Sequence, residues 1–230
     1  MMIKEMLKEA CCLRWFETDD LRAGTEAQLM EYLDIVDENG EPTGEIVSRY
    51  EAHRIGILHR TAHVWVVRVY EGQVQILLQK RSMEKESFPG MFDTSSAGHI
   101  PAGTEPLVSA RRELKEELGI DASEEQLSYV GVFRIRYEKE FHGKLFRDNE
   151  VTQVYVYQEP VEIGSLVLQS DEVDEVRWFN LEYVWEQIQH SRKRFCVPTQ
   201  GLQILKSFLE GENNNEHAGN RKNEKKCQDL

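Results

Sequence analysis

Hydrophobic and polar positions follow two periods along this chain. Residues 63–70 (HVWVVRVY) and 74–79 (VQILLQ) are dense in β-branched and aromatic side chains, and Glu71-Gly72 lies between them. That pattern predicts a β-hairpin closed by a tight turn. Residues 32–36 and 45–48 predict two short strands around DENGEPTG, a segment rich in turn formers. Residues 127–137, 151–158 and 175–179 predict three more strands. The period becomes helical over residues 104–118, where Thr104 can cap the start and Gly119 can end the helix. Residues 181–189 and 200–209 predict two further helices. Strands and helices mix without regular alternation. The expected class is therefore α+β, a mixed sheet sandwiched by helices, and not a doubly wound fold.

The two ends have a different texture. Residues 1–29 read as a short helix and a polar linker, an N-terminal extension to a domain over 30–210. Residues 211–230 are polar and poor in hydrophobic residues, the composition of a disordered tail.

Composition narrows the partners. Hydrophobic residues make up 40% of the 230, enough for a core, while 41 acidic against 28 basic residues give a net charge of −13. A nucleic-acid polymer would need a basic footprint, so none is expected as a partner. A phosphate substrate would need a divalent cation or a local basic cluster to offset the repulsion. Cys11, Cys12, Cys196 and Cys227 form no metal-binding or disulfide pattern. They read as free thiols of a reducing cytoplasm, the expected location. No apolar run is long enough to span a membrane, and the N-terminus does not read as a secretory signal. The sequence is compatible with a homodimer through an exchanged N-terminal segment but does not fix the oligomeric state.

The densest chemistry lies in GHIPAGTEPLVSARRELKEELGI, residues 98–120. On a helical wheel Leu107, Ala110, Leu114 and Leu118 share the side expected to pack on the sheet. Glu113, Glu116 and Glu117 fall on an adjoining strip, and Lys115 points away. Like charges at this spacing cost a few tenths of a kcal/mol per pair, roughly. Their place near the helix C-terminus is also unfavourable to negative charge. Mg²⁺ or Mn²⁺, which prefer hard oxygen ligands, would reverse both penalties. RRELKEEL alone reads better as a solvated surface face with salt bridges; the glycine loop before it changes the odds.

The segment resembles the Nudix box: glycine, five residues, glutamate, seven residues, then Arg-Glu-apolar-x-Glu-Glu-x-Gly-apolar. Gly98, Arg112, Glu113, Leu114, Glu116, Glu117, Gly119 and Ile120 match in register. Thr104 stands where the box has its first glutamate, with Glu105 one residue on and able to pair with Arg112. The resemblance implies an α/β/α sandwich and hydrolysis of a diphosphate linked to another moiety. It further implies Glu116 and Glu117 as metal ligands, and Glu113 as a ligand or water-activating base. The Gly98 carbonyl would complete the Mg²⁺ (or Mn²⁺) site, and Arg112 would orient the glutamates.

The flanks, LDIVDENGEPTGEIVSRYEAHRIGILHRTAHVWVV and LLQKRSMEKESFPGMFDTSSAGH, are similar to isopentenyl-diphosphate isomerase and hydrolases related to it. That likeness implies a second acidic cluster at Asp148-Asn149-Glu150, with Glu150 a further metal ligand. The isomerase needs a cysteine as proton donor at the position of Ala97, so the hydrolase reading leads. A non-catalytic nucleotide sensor is the third reading. Lys80, Arg81 and Lys85 can bind the small-molecule diphosphate. Of His59, His63 and His99, the last is the best polar contact because it adjoins the loop. Glu172 and Glu175 are weaker candidates for a base than Glu113.

Overall fold

The computed structural model describes residues 31–212. The expected N-terminal helix and linker of 1–29, and residues 213–230 of the expected tail, lie outside the described residues. In chain order the elements are β1 (Tyr32–Val36), β2 (Pro42–Ser48), α1 (Arg49–Ile55), β3 (His59–Tyr70), β4 (Gln73–Arg81), β5 (Phe92–Asp93) and β6 (Ser96–His99). There follow α2 (Pro106–Leu118), β7 (Leu127–Phe141), β8 (Lys144–Tyr157), β9 (Val173–Asn180), α3 (Leu181–His190) and α4 (199–212).

β3 organises the main sheet. It pairs antiparallel with β4 over Val66–Tyr70 and with β6 over Thr61–Val64, and it runs parallel to β8. β4 also pairs with β5 and β9, and β8 with β7, giving a mixed sheet of seven strands. Because β4 and β6 share one edge of β3, the sheet splits there, and α2 packs over β6 and β3.

Side-chain alternation sends the strands' apolar residues into two cores. On one face Trp65, Ile76, Leu78 and Val154 pack with α3, α4 and Phe195. On the other Val64, Val66, Leu77 and Tyr155 pack against Ala110, Leu114 and Leu118 of α2. This is the expected α+β class, and the expected sheet-facing side of the box helix is buried. The β3–β4 turn lies at Glu71-Gly72 as the pattern predicts, with φ of 50° and 73°.

Three local expectations change. The α2 N-cap is Glu105, which makes no side-chain cap bond, and not Thr104. Pro106 occupies the first turn, where its missing N–H costs nothing. A helix not expected from periodicity, α1, follows β2. The Ser48 side chain accepts from the Glu51 N–H, and Gly56 closes the helix at φ 75°. The S-x-x-E spacing was its signal. Finally, β7 and β8 extend into one long hairpin turning at His142-Gly143, with φ of 50° and 75°. Its outer half is mostly exposed, so burial left no alternating apolar pattern there to read.

Candidate metal and catalytic site

α2 lays its carboxylates against β6. Gly98 permits this, since a Cβ there would collide with Glu113 Cδ and Oε1. Glu117 is buried and Glu113 nearly so, whereas the Glu116 side chain is 50% exposed. Arg112 ties the group together. It donates to Glu113 Oε1 at 2.5 Å, to Glu116 Oε2 at 2.8 Å and to the His99 carbonyl at 3.3 Å. It does not pair with Glu105. Glu117 Oε2 accepts from Gln79 Nε2 and from the Ala97 N–H, each at 3.1 Å.

Such burial is expensive for charge. Burial first, then the Glu117 carboxylate, pushes the Glu113 carboxyl up to about 8. Burial likewise pushes Glu117 up to about 7. Two carboxyls that hold protons near neutrality and face a glycine cradle form a site suited to a hard cation.

A second cluster sits across β6. Alternation along the strand turns His99 to the face opposite Gly98. His53, His59 and His99 offer ring nitrogens within 4.8 Å of one another, and His59, Asp148 and Glu150 do the same with nitrogen and oxygen. His53 Nε2 and His99 Nε2 are 3.0 Å apart. His59 Nε2 lies 3.7 Å from Glu150 Oε1, and His53 Nδ1 lies 3.7 Å from Asp148 Oδ1. Both His59 Nε2 and Asp148 Oδ1 are buried without a hydrogen-bond partner. Orphaned buried atoms of these two types ask for a cation between them.

Burial, then the His59 imidazole, holds His53 at about 3. Burial and the Arg49 charge hold His99 well below its usual range. Both rings are therefore neutral near neutral pH, the form that ligates metal. Burial and then Glu150 push the Asp148 carboxyl well up. Thr61 Oγ1 donates to Glu150 Oε2 at 3.0 Å and fixes its orientation. Sequence reasoning picked out Glu150 and His99 and missed His53. Its signal was α1 itself, which turns His53 inward beside Ala52.

The basic candidates diverge. Lys85 pairs with Glu172, and both charges act on Glu117. The Glu172 turn is also anchored to α2, since the Gln169 N–H donates to the Glu117 carbonyl at 3.2 Å. Arg81 is engaged with Asp93 at 3.2 Å and with Ser87. Lys80 turns to the sheet face opposite Gln79, into a cleft shared with Glu175, Arg177 and Arg194. His63 is buried with Nδ1 unpartnered, edge-on to Phe133. Among the described residues no helix is long and apolar enough to cross a membrane.

Comparison with known proteins bears on the family and the fold. The NUDIX domain profile matches residues 59–197. An uncharacterised Nudix hydrolase of Clostridium acetobutylicum is 43% identical over 143 residues, covering 62% of this chain and 66% of its own length. Nudix hydrolase 3 of Arabidopsis thaliana is 40% identical over 154 residues, 66% of this chain but only 19% of that protein. The chain thus spans about two thirds of the first relative and about a fifth of the second. The uncharacterised Nudix hydrolase YfcD of Escherichia coli K12 is 32% identical over 155 residues, 67% of this chain and 76% of its own. The crystal structure of DR0079 from Deinococcus radiodurans matches with a TM-score of 0.57 at 18% identity, over 76% of this chain and 98% of that one. At that identity the likeness is one of fold. With the box in register on α2, its glutamates against Gly98, and this profile match, the chain belongs to the Nudix family.

Proposed function

We propose that this chain is a divalent-metal-dependent hydrolase that cleaves the phosphoanhydride bond of a nucleoside diphosphate-linked or related small molecule. The observation that carries the reading is the packing of Glu113 and the buried Glu117 against β6 at Gly98, with Arg112 bridging Glu113 to Glu116. Glu113, Glu116, Glu117 and the Gly98 carbonyl would hold one cation. The orphaned His59 Nε2 and Asp148 Oδ1 support a second position, held with His53, His99 and Glu150. Bound Mg²⁺ or Mn²⁺ supplies charge neutralisation on the phosphates and a more acidic water.

The chain's own groups divide the remaining work. Glu113, where it is not a ligand to the cation, is the acceptor for a proton from the attacking water. Arg112 holds Glu113 and Glu116 in orientation. Gln79 and the Ala97 N–H fix Glu117. Lys85, beside Glu117, offers positive charge toward the leaving phosphate. An isomerase would need a proton donor at position 97, and Ala97 has only a backbone N–H, already given to Glu117.

The test is phosphate or monophosphate release from nucleoside diphosphate sugars, dinucleotides, nucleoside triphosphates and isoprenoid diphosphates, with Mg²⁺ or Mn²⁺. Glu117→Gln and Glu116→Gln should each lower kcat about 100-fold or more, the scale of a lost catalytic carboxylate, with an unchanged circular dichroism spectrum. Full activity in both variants would sink the reading.

A further inference from the structure

We propose that the cleft between β4, β5, β9 and residues 193–194 is an anion site separate from the acidic centre, built for a compact oligophosphate, free or carried on a small molecule. The proposal stands independently of the hydrolase reading. Lys80, Arg177, Lys193 and Arg194 line the cleft, with Glu175 its one acidic lining residue and Phe92 its aromatic one.

Strand pairing assembles the cluster. Lys80 is the register partner of Phe92 on one side and of Glu175 on the other. Beyond β5, the Phe92 N–H donates to the Arg194 carbonyl at 2.8 Å, and the Cys196 N–H donates to the Phe92 carbonyl at 2.9 Å. The chain at 194–196 thus runs beside β5, with Phe195 bridged to Phe92 in parallel. Alternation along β9 puts Arg177 on the same face as Glu175. The guanidinium carbons of Arg177 and Arg194 stand 5.6 and 5.7 Å from the centre of the Phe92 ring, both within cation–π reach.

Charge and size choose the occupant. Arg177 pairs with Glu175. Lys80, Lys193 and Arg194 make no ion pair among the described residues, although the chain carries a net charge of −13. Their mutual repulsion is unfavourable, and an anion among them reverses it. Several uncompensated cations match a di- or triphosphate better than a lone carboxylate, and guanidinium and ammonium groups both suit phosphate oxygens. The cleft measures about 280 Å³, just under the roughly 300 Å³ at which pockets for drug-sized ligands begin. Phe92 is 5% exposed and offers no face on which a base could stack. Lys80 and Gln79 point to opposite faces of β4, and Gln79 is the residue that touches Glu117. The cleft therefore lies across the strand from the box carboxylates.

The experiment is calorimetric titration of the full chain with inorganic triphosphate in EDTA, which keeps divalent metal from gathering phosphate at the carboxylates. One-to-one binding is expected, weakening as NaCl is raised. Lys80→Gln and Arg194→Gln should each weaken it about tenfold or more, the scale of one lost charged hydrogen bond. Arg194 is exposed, so its side chain can be changed without disturbing the fold. Glu117→Gln should bind as the wild type does. ATP titrated in the same way separates the two sources: equal affinity assigns the site to a phosphate tail on a small molecule, and weaker affinity to the free anion. No binding of triphosphate, equal binding in Lys80→Gln and Arg194→Gln, or loss in Glu117→Gln overturns the site. Sulfate bound as tightly as triphosphate also overturns it, as does polyglutamate bound in its place, which would give the cleft to an acidic protein. Because no arm uses turnover, failure here leaves the hydrolase reading untouched.

Discussion

At the scale of single residues, the site is built on what is absent at position 98. Glu113 occupies the space a Cβ would take, so Gly98→Ala must push the carboxylate or the strand aside. Overpacking of this kind costs about 1–3 kcal/mol. The expected outcome is a lower urea midpoint together with loss of turnover. His63 gives a pH effect separate from the carboxylates. Burial holds its ring below the ordinary value of 6.5. In the pH range between the two states' values the unfolded chain binds the extra proton, so stability rises with pH. The contribution is present above the unfolded value and is lost as pH falls through about 6.5. Urea midpoints measured at pH 7.5 and 5.5 should fall further in the wild type than in His63→Gln, which does not titrate. Equal falls would refute this account.

At the scale of elements, α2 depends on its apolar stripe and its C-terminal glycine. Leu114 is fully buried, and Leu114→Ala should cost about 2–5 kcal/mol in denaturant unfolding. Gly119 sits at φ 74°, and a Cβ there would stand 3.0 Å from the Val167 N and Cβ. Gly119→Ala should therefore destabilise by more than the roughly 1 kcal/mol that separates alanine from glycine on backbone grounds alone. Both features were legible in the sequence because each leaves a local mark, a helical period and a terminal glycine. The hairpin β3–β4 was legible for the same reason. The histidine cluster was not, because it joins α1, β3, β6 and β8. Only the parallel pairing of His59 with Glu150 brings residues that far apart in sequence side by side. The Lys80–Lys85 segment shows the opposite limit. Its basic residues lie within six positions of sequence, yet strand alternation and local ion pairs send them to different places.

At the scale of the whole molecule, the acidic balance and the buried carboxyls make the same demand. The chain carries a net charge of −13 and buries Glu117, Asp148 and Glu150, carboxyls that bound cations would balance on the reading proposed above. Mg²⁺ or Mn²⁺ should raise the melting temperature, by an amount equivalent to about 2.7 kcal/mol at a hundred times its Kd. EDTA should reverse the rise. Glu117→Gln and Glu150→Gln should each blunt it, and a melting temperature indifferent to both metal and EDTA would exclude the two cation positions.

β6 is four residues long and stands between the two carboxylate groups. Its glycine seats Glu113 on one side, its histidine faces the imidazole cluster on the other, and its His99 carbonyl is held by Arg112. The two groups therefore share a single stiff partition. On the reading proposed above both cation positions lean on this strand, and a coupling carried through it would be reciprocal. In a Mn²⁺ titration, Glu150→Gln should weaken the site it does not touch.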